Sequence, residues 1–416
     1  MRKSVSPSEI GGTMTAPASK SVTQRAAAAA LLSEGPVVIL NPSRSDDSEA
    51  AIRAVRALGA RAEWEADRVV IQGGSQARES VLDCGESGLC LRMFTPIAAL
   101  FEEEMKLTGQ GSLCRRPIGR IEQPLSDLGA ACTTQDGYLP LTVKGPLKGG
   151  QARIDASLGS QFLTGLLMAL PRAERDSVLS VERLTSIPYI QLTLRLLAQF
   201  GISVSHQDFE TFRIEGGQKY RKAEYRVEGD WSGAALIMVA AALSGTVRIK
   251  GLDLDSPQGD KQIIDIFGRA GAKIIVSSTW VEVSRAPLQA FEFDVTHCPD
   301  LAPALVPLAS GARGTSIIHG MERLVHKESN RAYVLAREFK SLGVDIRLER
   351  NEMIIKGGTI RGGSVNSHGD HRIAMAAAVA ALVAEDTIAI EGADCVKKSY
   401  PDFFEDLRSL GGRIHE

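Results

Sequence analysis

The stretch Ser341-Leu342-Gly343-Val344-Asp345-Ile346-Arg347-Leu348, followed by Met353-Ile-Ile-Lys-Gly357, decides how this chain is built. Just upstream, Leu335, Phe339 and Leu342 fall at i, i+4 and i+7, the spacing of one buried helix face. Gly343 then ends the helix, because a left-handed C-cap costs glycine no Cβ clash. Two strand-like runs follow, joined by a turn at Arg350-Asn351, and a second, alanine-rich helix is predicted over Ala374–Val383. On the other side, Thr315-Ser-Ile-Ile-His-Gly320 reads as a short β-branched strand that a loop, Glu322 to Glu328, connects to the helix.

The Gly343 corner has five relatives in the chain, at Gly59, Gly129, Gly201, Gly271 and Gly411, so that the six are spaced 70, 72, 70, 72 and 68 residues apart. A fixed internal period dictates architecture. Alanine- or leucine-rich helices are predicted to begin near Ser21, Gly88, Ser160, Trp231, Asp300 and His371, and second helices near Asp46, Pro117, Pro188, Gly259, Asn330 and Pro401. The pattern predicts an α/β protein of six β-α-β-α-β-β repeats, three per domain. The first set of helices is apolar all round, so they belong inside with the sheets facing outward. A doubly wound parallel sheet fits less well, since two consecutive strands follow every glycine corner. Three helix N-termini meeting on one face of each domain would present unpaired N–H groups and partial positive charge to an anion.

A chain of 416 residues implies two or three domains, and 44% apolar with 24% charged residues is ordinary for a soluble globular protein. The net charge of −2 gives no support to a nucleic-acid partner. No apolar run reaches the length of a membrane span, and the start Met-Arg-Lys-Ser-Val-Ser-Pro lacks a secretory core. Cys84, Cys90, Cys114, Cys132, Cys298 and Cys395 form no Cys-x-x-Cys pair, which favours a reducing cytoplasm over a disulfide or zinc framework.

Chemistry-bearing residues concentrate at the predicted helix starts. Pro17-Ala-Ser-Lys20-Ser21-Val-Thr-Gln-Arg25 puts cations where they oppose a helix dipole, a placement suited either to a bound phosphate or carboxylate or to a solvated basic turn. Asp83-Cys-Gly-Glu86-Ser87-Gly88-Leu-Cys-Leu-Arg92 is a glycine-bracketed turn that lets backbone N–H groups approach a ligand. Gly109-Gln-Gly111 is not a dinucleotide fingerprint, and no phosphate-binding Gly-x₄-Gly-Lys run exists. Arg115-Arg116-Pro117 offers planar forks for an oxyanion, or plain surface charge. Ser160-Gln161 and Ser186-Ile-Pro188-Tyr189 serve equally as caps or ligand contacts. In the second half stand His297-Cys-Pro-Asp300, Lys327-Glu328-Ser-Asn-Arg331, Gly369-Asp370-His371-Arg372 and Lys397-Lys398. Glu328 between two cations is a surface ion pair, or, in a cleft, a carboxylate kept ionised within reach of a substrate proton. The histidines lack i, i+4 partners and the carboxylates do not cluster, so no metal is expected.

Taken together, Pro-Ala-Ser-Lys-Ser-Val-Thr-Gln-Arg, Arg-Pro-Ile-Gly, Ser-Gln-Phe-Leu-Thr, Lys-Glu-Ser-x-Arg, Asp-His-Arg-x-Ala-Met and Lys-Ser-Tyr-Pro-Asp-Phe-Phe resemble, in order from about residue 10 to the C-terminus, the enolpyruvyl transferase family. The resemblance implies two inside-out α/β barrel domains of three repeats each, with the active site in the cleft between them. Residues 1–17 plus 228–416 would carry the acid/base groups, and residues 18–227 most contacts to shikimate 3-phosphate. The activity implied is transfer of the carboxyvinyl group of phosphoenolpyruvate to the 5-hydroxyl of shikimate 3-phosphate, without a cofactor. Lys20, Gly88, Arg116, Gln161, Arg331, Arg372 and Lys398 would hold phosphoenolpyruvate. Lys20, Ser21, Arg25, Ser160, Gln161, Ser186, Tyr189, Asp300, Arg323 and Lys327 would hold shikimate 3-phosphate. Asp300, Glu328 and Lys20 would move the protons. The expected partners are these two small molecules alone, with no nucleic acid and no membrane, in a cytoplasmic monomer.

The sequence departs from the family pattern at Glu86 (usually Asn), Leu89 (Thr), Gly159 (Ser) and Arg323 (Asn). Glu86 is expected to be neutralised by Arg92 or Arg116, because an unpaired carboxylate would repel phosphoenolpyruvate. The sister activity on UDP-N-acetylglucosamine calls for a cysteine five residues before the Arg-Pro, whereas Cys114 stands two before Arg116, and for Lys-Asn where this chain has Lys20-Ser21. A non-catalytic anion-binding homologue is the other alternative, opposed by retention of Lys20, Asp300, Glu328 and Arg372.

Overall fold

The structure is a computed structural model that describes residues 1–74 and 76–416. The chain divides into a discontinuous unit, Met1–Pro17 with Gly229–Glu416, and a continuous unit, Ala18–Glu228. Glu228, expected in the discontinuous unit, belongs to the continuous one, where its carbonyl accepts the Ser19 N–H at 2.9 Å.

The described residues form twelve α-helices: α1 (Lys20–Leu31), α2 (Asp46–Ala57), α3 (Gly88–Ala98), α4 (Glu122–Asp127), α5 (Gln161–Ala169), α6 (Ile187–Gln199), α7 (Trp231–Ser244), α8 (Ile263–Ala270), α9 (Ala302–Ser310), α10 (Arg331–Ser341), α11 (His371–Ala381) and α12 (Phe403–Ser409). The odd-numbered helices are the apolar set. Every residue of α3, α7, α9 and α11 is buried, and alanine runs such as Ala26–Ala30 let these helices pack closely. The even-numbered helices bury one stripe only, as Leu335 and Phe339 do in α10.

Each unit holds three four-stranded sheets of one pattern: a parallel pair, then two antiparallel neighbours. One sheet shows how a repeat is wired. Glu292–Asp294 lies parallel to Thr315–His319, which pairs antiparallel with Glu352–Lys356, which pairs antiparallel with Asp345–Glu349. The six sheets are separately hydrogen-bonded, with no closed barrel among the described residues. The strand Arg2–Ser6 lies third in its sheet, between Ile388–Glu391 and Arg413–His415, so the chain's first strand is held by its last ones.

All six corner glycines take a left-handed φ, from 70° at Gly271 to 110° at Gly411. Helix starts follow the predictions wherever a side chain caps the helix: Ser87 before α3, Asp230 before α7 and Asp370 before α11. The last of these starts its helix at His371, three residues ahead of the predicted alanine run. Pro117 begins no helix. Arg116 is extended, Gly119 turns left-handed at φ 101°, and α4 starts only at Glu122. At Gly259 and Asp300 a 3₁₀ turn comes first, with α8 and α9 following at Ile263 and Ala302. No described helix is long and apolar enough to cross a membrane.

Candidate active site

In the continuous unit side chains of Gln24, Arg25 and Arg92 link α1, α3 and α5 near their N-terminal ends. Lys20 opens α1 behind the cap Ser19, and its Nζ lies 2.9 Å from Asp47 Oδ2 in the first turn of α2. Arg25 is wholly buried: Nε donates to Thr193 Oγ1 and Nη1 to the Ser21 carbonyl, both at 2.9 Å, with Thr164 Oγ1 and the Tyr189 carbonyl each 3.5 Å from Nη2. Burial pulls its pKa down to about 10, still cationic at neutral pH. Arg25 thereby joins α1 to α5 and α6. Ser160 is buried at the start of α5, and Ser186 takes a left-handed φ of 59° where α6 begins.

Gly88, the first residue of α3, lies beneath two guanidinium groups. A Cβ there would stand 2.8 Å from Arg116 Nη1 and 3.0 Å from Arg92 Nη1, so any larger residue would push the guanidinium groups from their present places beside the helix start. Arg92 Nη1 also donates to Gln161 Oε1 at 3.2 Å, which ties α3 to the first residue of α5. Glu86 finds partners the sequence did not suggest. Its Oε2 accepts the Ser112 hydroxyl at 3.0 Å and the Ser112 N–H at 3.3 Å. A Cβ on Gly111 would come within 2.2 Å of its Oε1. The carboxylate is therefore received by the free N–H end of the 3₁₀ turn Gly111–Arg115, a favourable place for negative charge.

In the discontinuous unit the chemistry gathers at the starts of α9, α10 and α11. Asp300 Oδ1 accepts Arg331 Nη1 at 2.9 Å and Lys327 Nζ at 3.4 Å, and its Oδ2 lies 3.5 Å from Arg372 Nη2. Arg331, almost fully buried, also reaches Glu328 Oε2 at 2.6 Å and grips Asp370 through Nε at 2.9 Å and Nη2 at 3.2 Å. Burial pushes the Asp300 carboxyl up, but Arg372, Lys327 and Arg331 outweigh it and hold the group well below the usual carboxylate range. The Lys327 ammonium is lowered by burial and by the neighbouring Arg331 and Arg323, against the pull of Asp300. Arg323 faces Asp300 from the 3₁₀ turn Met321–Leu324, so it joins the cluster, and Lys398 is buried in the turn Ala393–Lys398 that packs on α11.

Three participants escape a reading of the sequence. Asp47, which nothing in the sequence singles out, pairs with Lys20. Asp370, which stands in the sequence as part of the Gly-Asp-His-Arg motif, caps α11 and is also a principal partner of Arg331. Asp260 carries no signal, though burial, together with the charge of Asp300, raises its carboxyl to about 7. Each unit thus gathers cations at helix N-termini, and the discontinuous one also sets carboxylates among them.

Similarity to known proteins agrees with this geometry. The family model described as EPSP synthase (3-phosphoshikimate 1-carboxyvinyltransferase) matches residues 5–407. A 3-phosphoshikimate 1-carboxyvinyltransferase of Methanocorpusculum labreanum is 37% identical over 422 residues, covering 100% of both chains. That of Clostridium kluyveri is 38% identical, covering 99% of this chain and 98% of its own. Among solved structures, EPSP synthase from Acinetobacter baumannii superposes with a TM-score of 0.83 at 27% identity over 100% of each chain. The enolpyruvyl transferase NikO from Streptomyces tendae, at 18% identity and covering 100% of this chain and 98% of its own, shares the fold with a TM-score of 0.79. With cations at glycine-bracketed helix starts and a match from end to end, the chain belongs to the EPSP synthase (3-phosphoshikimate 1-carboxyvinyltransferase) family.

Proposed function

We propose that this chain transfers the carboxyvinyl group of phosphoenolpyruvate to the 5-hydroxyl of shikimate 3-phosphate, releasing phosphate. The observation that carries this is Asp300, a carboxylate kept ionised at the start of α9 by Arg331, Lys327 and Arg372. Glu328 or Lys20 protonates the methylene carbon of phosphoenolpyruvate, which leaves C2 cationic. The 5-hydroxyl oxygen bonds to C2 while its proton passes to Asp300, giving a tetrahedral ketal. Loss of a proton from the methyl group and cleavage of the C2–O bond to phosphate then restore the vinyl group. Anionic substrates compete for the cations that surround Asp300, so binding frees its lone pairs and strengthens it as a base. Lys20, Gly88, Arg116, Gln161, Arg331, Arg372 and Lys398 bind phosphoenolpyruvate. Ser21, Arg25, Ser160, Ser186, Tyr189, Arg323 and Lys327, with Lys20, Gln161 and Asp300, bind shikimate 3-phosphate. We place the enzyme in the cytoplasm as a monomer: all six thiols are free, and one chain supplies every group the reaction uses.

Phosphate release tests the assignment, with each substrate omitted in turn. Release only with both is expected; release with UDP-N-acetylglucosamine in place of shikimate 3-phosphate overturns it. Asp300→Ala should lower kcat by about 10²–10⁴ with KM values changed only a few-fold. A raised KM at unchanged kcat would reduce Asp300 to a binding residue.

A further inference from the structure

Helix α10 carries a carboxylate outside the Asp300 cluster. Glu338 follows Arg331 by seven residues, close to two helical turns, so both project from one face. Its side chain is only 9% exposed. Oε2 accepts the backbone N–H of Asn366 at 3.0 Å, while Oε1 lies 3.0 Å from His368 Nε2 and 2.6 Å from Arg337 Nη2. At the far end of the same segment, Asp370 receives Arg331 and the Ser329 hydroxyl, the latter at 3.0 Å. Helix and turn therefore hold each other in opposite senses: a helix cation in a turn carboxylate, and a helix carboxylate on a turn N–H and imidazole. The inner side of the segment is fastened through Ser367, whose N–H donates to the Glu391 carbonyl and whose hydroxyl donates to the Gly392 carbonyl, both at 3.0 Å. Burial opposes ionisation of Glu338, but the Asn366 N–H, Arg337 and His368 outweigh it and keep the carboxyl below its ordinary range.

We propose that Glu338 is a positioning residue for phosphoenolpyruvate. By fixing Asn366–His368 it sets the place of Asp370, which in turn holds the Arg331 guanidinium and, by accepting the Arg372 backbone N–H at 3.0 Å, fixes the helix start that carries Arg372. The proposal rests on the assignment of Arg331 and Arg372 to phosphoenolpyruvate.

Steady-state kinetics of the full chain test it with Glu338→Ala, Glu338→Gln and His368→Asn. Asparagine tolerates the left-handed φ of 53° at His368, so that variant removes the imidazole without straining the turn. Glu338→Ala should raise the phosphoenolpyruvate KM about tenfold, the scale of one lost charged hydrogen bond, with the shikimate 3-phosphate KM changed less than about twofold. Glu338→Gln keeps an acceptor for Asn366 and should recover to within about threefold of wild type, with His368→Asn between the two. Equal rises in both KM values, or a lowered Tm with both unchanged, overturn the proposal. A wild-type chain that turns over neither substrate would instead defeat the assigned reaction. Amide exchange over residues 366–372 would then still decide the positioning claim, requiring protection to fall in Glu338→Ala and to persist in Glu338→Gln.

Discussion

Asp260 and Asp300 share one cluster and titrate in opposite directions. Asp300 is depressed, so its contribution to stability is present above the unfolded value near 4 and is lost only as pH falls through its lower folded value. Asp260 is raised to about 7 by burial and by Asp300, so its contribution is full below about 4 and is lost as pH rises through 7. Asp260→Asn, which cannot ionise, should therefore gain on wild type by about 2–3 kcal/mol between about pH 5 and pH 8. Urea unfolding at the two pH values checks this, and a stability difference independent of pH would refute it. The environment of Asp260 was not legible in the sequence because Asp230, Ser232, Asp300 and Arg372 reach it from three other segments. Lys327-Glu328-x-x-Arg331 was legible because its spacing fits within one turn. Glu86 shows the same limit in another form: charge alone points to a cation, and nothing in the sequence points to the hydroxyl and backbone donors of Ser112 that also reach it.

Helix ends are the elements that join fold to site. Asp370 caps α11 by accepting the Arg372 N–H and also binds the buried Arg331. Asp370→Ala removes both roles and leaves Arg331 short of a buried counter-charge, so a loss of about 3–5 kcal/mol is expected in denaturant unfolding. Asp370→Asn retains a capping oxygen and should lose clearly less; equal losses would mean that the charge pair contributes nothing. The same contrast explains which elements the sequence revealed. The glycine corners were unambiguous because a left-handed residue needs glycine there, and the capped helices began where their Ser or Asp indicated. Pro117 misled because proline marks where a helix is permitted to start, and Gly119 then turns the chain away.

At the scale of the molecule, one unit is continuous and the other is not. Residues 18–228 contain all strands of their three sheets, with Glu224–Arg226 completing the sheet that Val37–Leu40 begins. This segment expressed alone should fold and melt in one cooperative transition followed by circular dichroism, whereas residues 229–416 alone should not, lacking a strand from each of two sheets. Two equally cooperative fragments would contradict that view. The placement of Arg2–Ser6 has a further consequence for how the chain is made. The ribosome delivers that strand long before its partners Ile388–Glu391 and Arg413–His415, so it must wait without them while the intervening chain is made. Arg2 and Lys3 suit it to that wait, since charge on an open edge discourages pairing with other chains. Translation can release the continuous unit to fold early, but the discontinuous one closes only when segments from either side of it meet, Lys3 beside Glu416 at 2.9 Å.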